Sequence, residues 1–154
     1  AVWSEVEGDV WVVPADRMKR GKEHRVPLCT QALSVLDQVR SLNPDLIFPS
    51  RQRRAGSMQD RPLSVNAGPK LLERIGYGHI TLHGFRSTFR DWCSESARAD
   101  REVAEAALSH ATGSAVERAY SRSDLFERRR VLMEAWGRFC AGERGAVVDL
   151  VRGG

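Results

Sequence analysis

His83-Gly84-Phe85-Arg86, Leu108-Ser109-His110 and Val116-Glu117-Arg118-Ala119-Tyr120-Ser121-Arg122 follow one another in a single stretch of the chain. Three kinds of side chain recur in it: guanidinium, imidazole and one phenol. A phosphodiester carries a full negative charge, and more builds on its non-bridging oxygens under attack. Arginine's planar fork meets those oxygens with parallel donors. A histidine nitrogen adds a donor or moves a proton. A tyrosine hydroxyl, with an unperturbed pKa of about 10, attacks at neutral pH only in positive surroundings. If the segment after Leu82 is helical, His83 and Arg86 share one face toward a cleft. Phe85, Phe89, Trp92 and Cys93 then lie on the other side and read as core.

Working outward, Asp100 caps a helix over Arg101–Leu108, with Val103, Ala106 and Ala107 on its packed side. His110 closes that helix, where the dipole by itself favours an imidazole. Ser114 and Glu117 form a capping box that opens a short helix holding Tyr120. Asp124 and Glu127 open a longer helix to about Cys140. Leu132, Ala135, Trp136 and Phe139 make its apolar stripe, and Arg128, Arg129 and Arg130 a solvated charge run. From Ala141 onward glycines and charges read as a loose tail.

On the other side of the stretch, His79 is a surface or supporting residue, and a helix starts near Pro69, at its first turn, and runs to Ile75. Leu46–Ser50 is a short extended piece, followed by a loop carrying Arg51, Arg53 and Arg54. Those three arginines are open between a solvated loop and phosphate contact. Thr30–Leu42 is a helix, stopped by Pro44. Val2–Glu5 reads as the end of an element begun upstream, and Glu7-Gly8-Asp9 as a turn. Val10–Val13 and His24–Leu28 are strands of a hairpin whose connection bears Lys19 and Lys22 around a glycine tip. Lysines there also suit a merely solvated edge.

The 154 residues are enough for one domain with a real core. Twenty-four basic against twenty acidic side chains give +4, a mild excess that suits a polyanion. Cys29, Cys93 and Cys140 are far apart and form no Cys-x-x-Cys pair, so neither a disulfide framework nor a zinc site is supported. They read as reduced core thiols. No apolar run is long enough to cross a membrane.

Singly, each signal has an ordinary explanation: His-x-x-Arg is common in helices, and Tyr120 alone suits a half-buried helical tyrosine. Their order and spacing together resemble the C-terminal catalytic motifs of the tyrosine recombinases, the phage-integrase family, over most of the chain. The resemblance implies a mainly α fold with a small antiparallel β-sheet (α+β), residues 1–141 being part of a catalytic domain and 142–154 a tail. It implies that Arg86 clamps the scissile phosphate beside His83, that His110 bonds a phosphate oxygen, and that Tyr120 forms a 3′-phosphotyrosyl link. Lys19 matches the general acid of the hairpin, with Lys22 as the fallback. No cofactor and no metal are implied. Duplex DNA is the implied partner, with a tetramer on DNA for the full-length protein and a monomer for this piece. The implied place is the bacterial cytoplasm, at the nucleoid. Relatives carry a further arginine on a helix before the segment matching Val2–Glu5, so the chain reads as the C-terminal part of an integrase and a poor catalyst alone. A type IB topoisomerase shares the tyrosine chemistry; a non-catalytic DNA-binding module and a helical scaffold are the alternatives outside it.

Overall fold

The computed structural model describes residues 1–50, 60–110 and 123–143. Two small antiparallel sheets and five α-helices make up the described residues, an α+β arrangement. The first sheet has three strands: β1 (Val6–Glu7), β2 (Val10–Val13) and β3 (His24–Pro27), in that spatial order. Gly8, at φ +60°, supplies the left-handed turn between β1 and β2. Trp11 faces Val26 across β2–β3 and Val6 across β1–β2. The sheet therefore has one strand more than the expected hairpin, because Val6 and Glu7 pair instead of merely leading in. Ahead of it, Trp3–Glu5 is one 3-10 turn. Its Trp3 amide donates to the Asp45 carbonyl at 2.8 Å, and Val2 bridges Leu46. Asn43, 8% exposed, fixes that junction: its Oδ1 accepts from the Asp45 and Leu46 amides.

Helix α1 (Thr30–Val39) ends three residues earlier than its pattern suggests. Only Pro49–Ser50 of the following extended piece is a strand, β4, and it pairs with β5 (Arg61–Pro62). Helix α2 (Ala67–Arg74) starts two residues before Pro69, which its first turn accommodates because no partner is lost there. Helix α3 (Leu82–Glu95) begins two residues before Gly84, since Thr81 is its N-cap and accepts the Gly84 amide on Oγ1 at 3.1 Å. Helices α4 (Arg101–Ala107) and α5 (Phe126–Cys140) complete the set. Asp100 does stand at the N-cap of α4, but its carboxylate pairs with Arg128 rather than with the backbone. Asp124 accepts the Phe126 amide from one position before the N-cap Leu125.

The core lies where α3, α4 and α5 meet. Phe89, Trp92, Cys93, Ala97, Val103, Ala104 and Leu132 form it, with Leu132 fully buried. Trp136 joins from α5, edge-on to Phe89 at 5.3 Å and 5.1 Å from Trp92. Burial pushes the Cys93 thiol up to about 12, so it is packed as an apolar group. Two expected core members differ. Phe85 is half exposed because it sits in the first turn of α3, and Cys140 is exposed near the end of α5.

The arginine run on α5 is not uniformly solvated. Arg129 is 1% exposed, its guanidinium donating to the Arg25 carbonyl at 2.6 Å, the Asp124 carbonyl at 2.8 Å and Asp124 Oδ2 at 3.0 Å. It thereby ties α5 to β3. Arg130 pairs with Asp9, and Thr30 at the start of α1 donates twice to the Glu134 carboxylate. Gly137 permits the closest approach: a Cβ there would collide with Gln31 Oε1 and Cys29 Sγ. One helix thus holds the sheet and α1 against the helical core.

Candidate active site

The site begins with the two turns that aim its side chains. On α3, His83, Arg86 and Arg90 follow at helical intervals, and Arg86 and Arg90 border the buried strip of Phe89 and Cys93. His83 and Arg86 are both exposed. At the end of α4 the chain reverses sharply. Ser109 takes the left-handed conformation, φ 55°, and its amide donates to the Ala106 carbonyl at 3.0 Å. The His110 amide donates to the Glu105 carbonyl at 2.9 Å. That pair of bonds is a Schellman turn, with Ser109 where glycine is usual. It brings the imidazole back over the last turn of α4.

Four side chains meet there. Arg86 Nη2 donates to the Leu108 carbonyl at 2.8 Å and lies 2.7 Å from His110 Nε2. His110 Nδ1 lies 2.6 Å from Glu105 Oε2. The other oxygen of Glu105 accepts from Arg90 Nη2 at 2.9 Å. Glu105 is 8% exposed, whereas the Arg90 and His110 side chains are half open to solvent. Arg86 Nε and Nη1 have no partner among the described residues. The arrangement leaves donors of a fixed cation at the surface, which is what an incoming anion requires.

Arg86 and His110, predicted from the sequence, are therefore brought together. His83 stands one turn before Arg86 and makes no hydrogen bond or ion pair with it among the described residues. Lys19 and Lys22 are exposed in the connection between β2 and β3, just past a 3-10 turn at Ala15–Arg17, and neither is ion-paired among the described residues. Tyr120, Arg51, Arg53 and Arg54 lie outside the described residues. His79 is exposed, its ring 6.2 Å from that of Tyr77.

Sequence reasoning missed Arg90 and Glu105. Each left a signal. Arg90 is one helical turn beyond Arg86, and Glu105 is a lone carboxylate inside Val103-Ala104-Glu105-Ala106-Ala107. A charge amid small apolar neighbours on a packed helix needs a partner.

No helix among the described residues is long and apolar enough to cross a membrane. The family model described as "Phage integrase family" matches residues 2–125. Prophage integrase IntA of Escherichia coli (strain K12) is 36% identical over 96% of this chain and 36% of its own length. Prophage integrase IntZ of the same strain is 36% identical over 86% of the chain and 32% of its length. The integrase of Enterobacteria phage P4 is 29% identical over 98% of the chain and 38% of its length. The chain thus spans about a third of the length of these relatives. No solved structure gives a significant match. With the family model matching residues 2–125, a range that takes in the first sheet and both motif histidines, the chain belongs to the phage integrase family.

Proposed function

We propose that the chain is the catalytic part of a site-specific DNA recombinase that cuts and rejoins duplex DNA through a tyrosine. The observation that carries this reading is the 2.7 Å approach of Arg86 to His110, from residues 24 apart in sequence, beside guanidinium donors that have no partner among the described residues. Arg86 holds a non-bridging oxygen of the scissile diester through Nε and Nη1. His83 flanks it as a donor, and His110, with Nε2 2.7 Å from Arg86 Nη2, supports the guanidinium from the side away from the phosphate. The Tyr120 oxygen bonds to phosphorus, the bond to the 5′ oxygen breaks, and the phenol's proton passes to solvent. Lys19 supplies a proton to the departing 5′-hydroxyl. Rejoining is the reverse, with a new 5′-hydroxyl displacing the tyrosine. The bond energy is kept in the 3′-phosphotyrosyl link.

In this reading Lys22, Arg51, Arg53 and Arg54 contact backbone phosphates without reading bases. Duplex DNA is the partner, and strand exchange takes place in a tetramer of the longer protein. A nicked suicide duplex, which lets the cut end diffuse away, tests the reading directly. The expected result is a slowly accumulating covalent protein–DNA band on a denaturing gel, absent from Tyr120→Phe. A band that persists in the variant, or none from the parent chain at saturating DNA, overturns it.

A further inference from the structure

Glu105 belongs to the site although it does not face the solvent from which DNA would arrive. Its carboxylate is nearly buried and its two oxygens are divided between two cationic or protonated partners, Arg90 at 2.9 Å and His110 Nδ1 at 2.6 Å. On the far side of the imidazole, Nε2 sits 2.7 Å from Arg86 Nη2. A guanidinium nitrogen has protons and no lone pair to offer, so it only donates. His110 Nε2 must therefore accept in this arrangement, and the ring's proton must be on Nδ1, pointing at Glu105.

A neutral imidazole in water prefers neither arrangement strongly, and a short hydrogen bond to a carboxylate decides between them. The order of the groups follows: Arg90 holds Glu105, Glu105 fixes the His110 ring and its proton, and His110 with the Leu108 carbonyl occupies both Nη2 protons of Arg86. With those protons engaged, the guanidinium plane cannot swing freely, and Nε and Nη1 are left without a partner among the described residues. We propose that Glu105, buttressed by Arg90, is a positioning residue that sets the protonated nitrogen of His110 and the orientation of Arg86. The proposal rests on the recombinase reading for its catalytic consequence, but its geometric content stands apart from it.

The test uses the 154-residue chain with 15N-labelled histidine and two readouts. Ring-nitrogen shifts measured by NMR above the range where the imidazole is charged are expected to show His110 with its proton on Nδ1. In Glu105→Gln, checked for folding by its thermal transition, the expected result is a mixture of both tautomers. In the same variant the rate of Tyr120 adduct formation is expected to fall roughly tenfold to a hundredfold. Duplex affinity is expected to change by less than about twofold, because no DNA contact is removed. Glu105→Asp, which keeps the charge, should recover part of the rate. A proton on Nε2 in the parent chain overturns the proposal even if Glu105→Gln fails to fold. So does a Glu105→Gln chain with unaltered tautomer and unaltered rate. A parent chain with the Nδ1 proton, lost in Glu105→Gln, but no Tyr120 adduct at all would support the positioning and sink the strand-transfer reading.

Discussion

Arg129→Met is the sharpest test of how this domain holds together. The substitution keeps an unbranched apolar stem and removes the guanidinium, which is 1% exposed and makes three hydrogen bonds. Burial lowers the Arg129 pKa and the neighbouring Arg25 adds to that, while Asp124 acts against both. A guanidinium stays protonated in proteins, and here it is poorly solvated. Hydrogen bonds from a charged donor are each worth about 1.5–3 kcal/mol. Three of them set a gross loss of several kcal/mol, reduced because the half-exposed Asp124 carboxylate regains water. A net loss of about 3–4 kcal/mol follows, within the range for breaking a buried ion pair. For a chain of this length that is roughly 6–16 °C in Tm. Denaturant and thermal unfolding of the two proteins measure it, with Arg130→Met as the control. Arg130 is partly exposed and its pairs with Asp9 and Glu127 lie toward solvent, so its loss should stay under about 1 kcal/mol. If Arg129→Met costs less than about 1 kcal/mol, the guanidinium is not the clamp between β3 and α5 described above.

Two further outcomes follow from the same geometry. Arg86→Ala should slow adduct formation by on the order of 10²–10³, yet leave stability within about 1 kcal/mol because the side chain is exposed; a parent-like cleavage rate would remove Arg86 from the site. His24 is held below its ordinary value of 6.5 by burial first and the Arg129 charge second, against its interactions with the Ala107 backbone and Asp124. A histidine whose folded pKa is depressed stabilises the fold above its unfolded value, and that contribution is lost as pH falls through the folded one. Tm should therefore drop as pH is lowered from 7 through the region below 6.5, and His24→Gln should flatten that part of the curve; equal slopes would count against the depression of His24.

The helices were legible where apolar spacing was regular. Phe89, Trp92 and Cys93 recur at helical intervals and are core, and α1 does begin at Thr30, with Cys29 as its N-cap. Phe85 obeys the same spacing and is half exposed, because periodicity gives the face of a helix but not how far along it a neighbour reaches. Arg129 was misread with its flanking arginines as a surface run. Its register told otherwise: it stands three residues before Leu132 and seven before Trp136, on the buried stripe. At the site, Arg86 and His110 were legible as a pair because only their joint spacing is unusual. Glu105 was not, since its partners come from another helix and from beyond a Schellman turn that Ser109 disguises by not being glycine.

The reach of α5 across the molecule has a consequence for how the chain is made. Its bonds to Arg25, Thr30 and Asp9 span 104, 104 and 121 residues. As the polypeptide leaves the ribosome, β2 and β3 are synthesised long before the helix that covers them, so while the residues between are made the hairpin waits with that flank uncovered. Closing such long loops is entropically slow. Acquisition of the native state is therefore gated by the arrival of residues 126–140, and a nascent chain arrested before them should remain a ready substrate for chaperones and proteases.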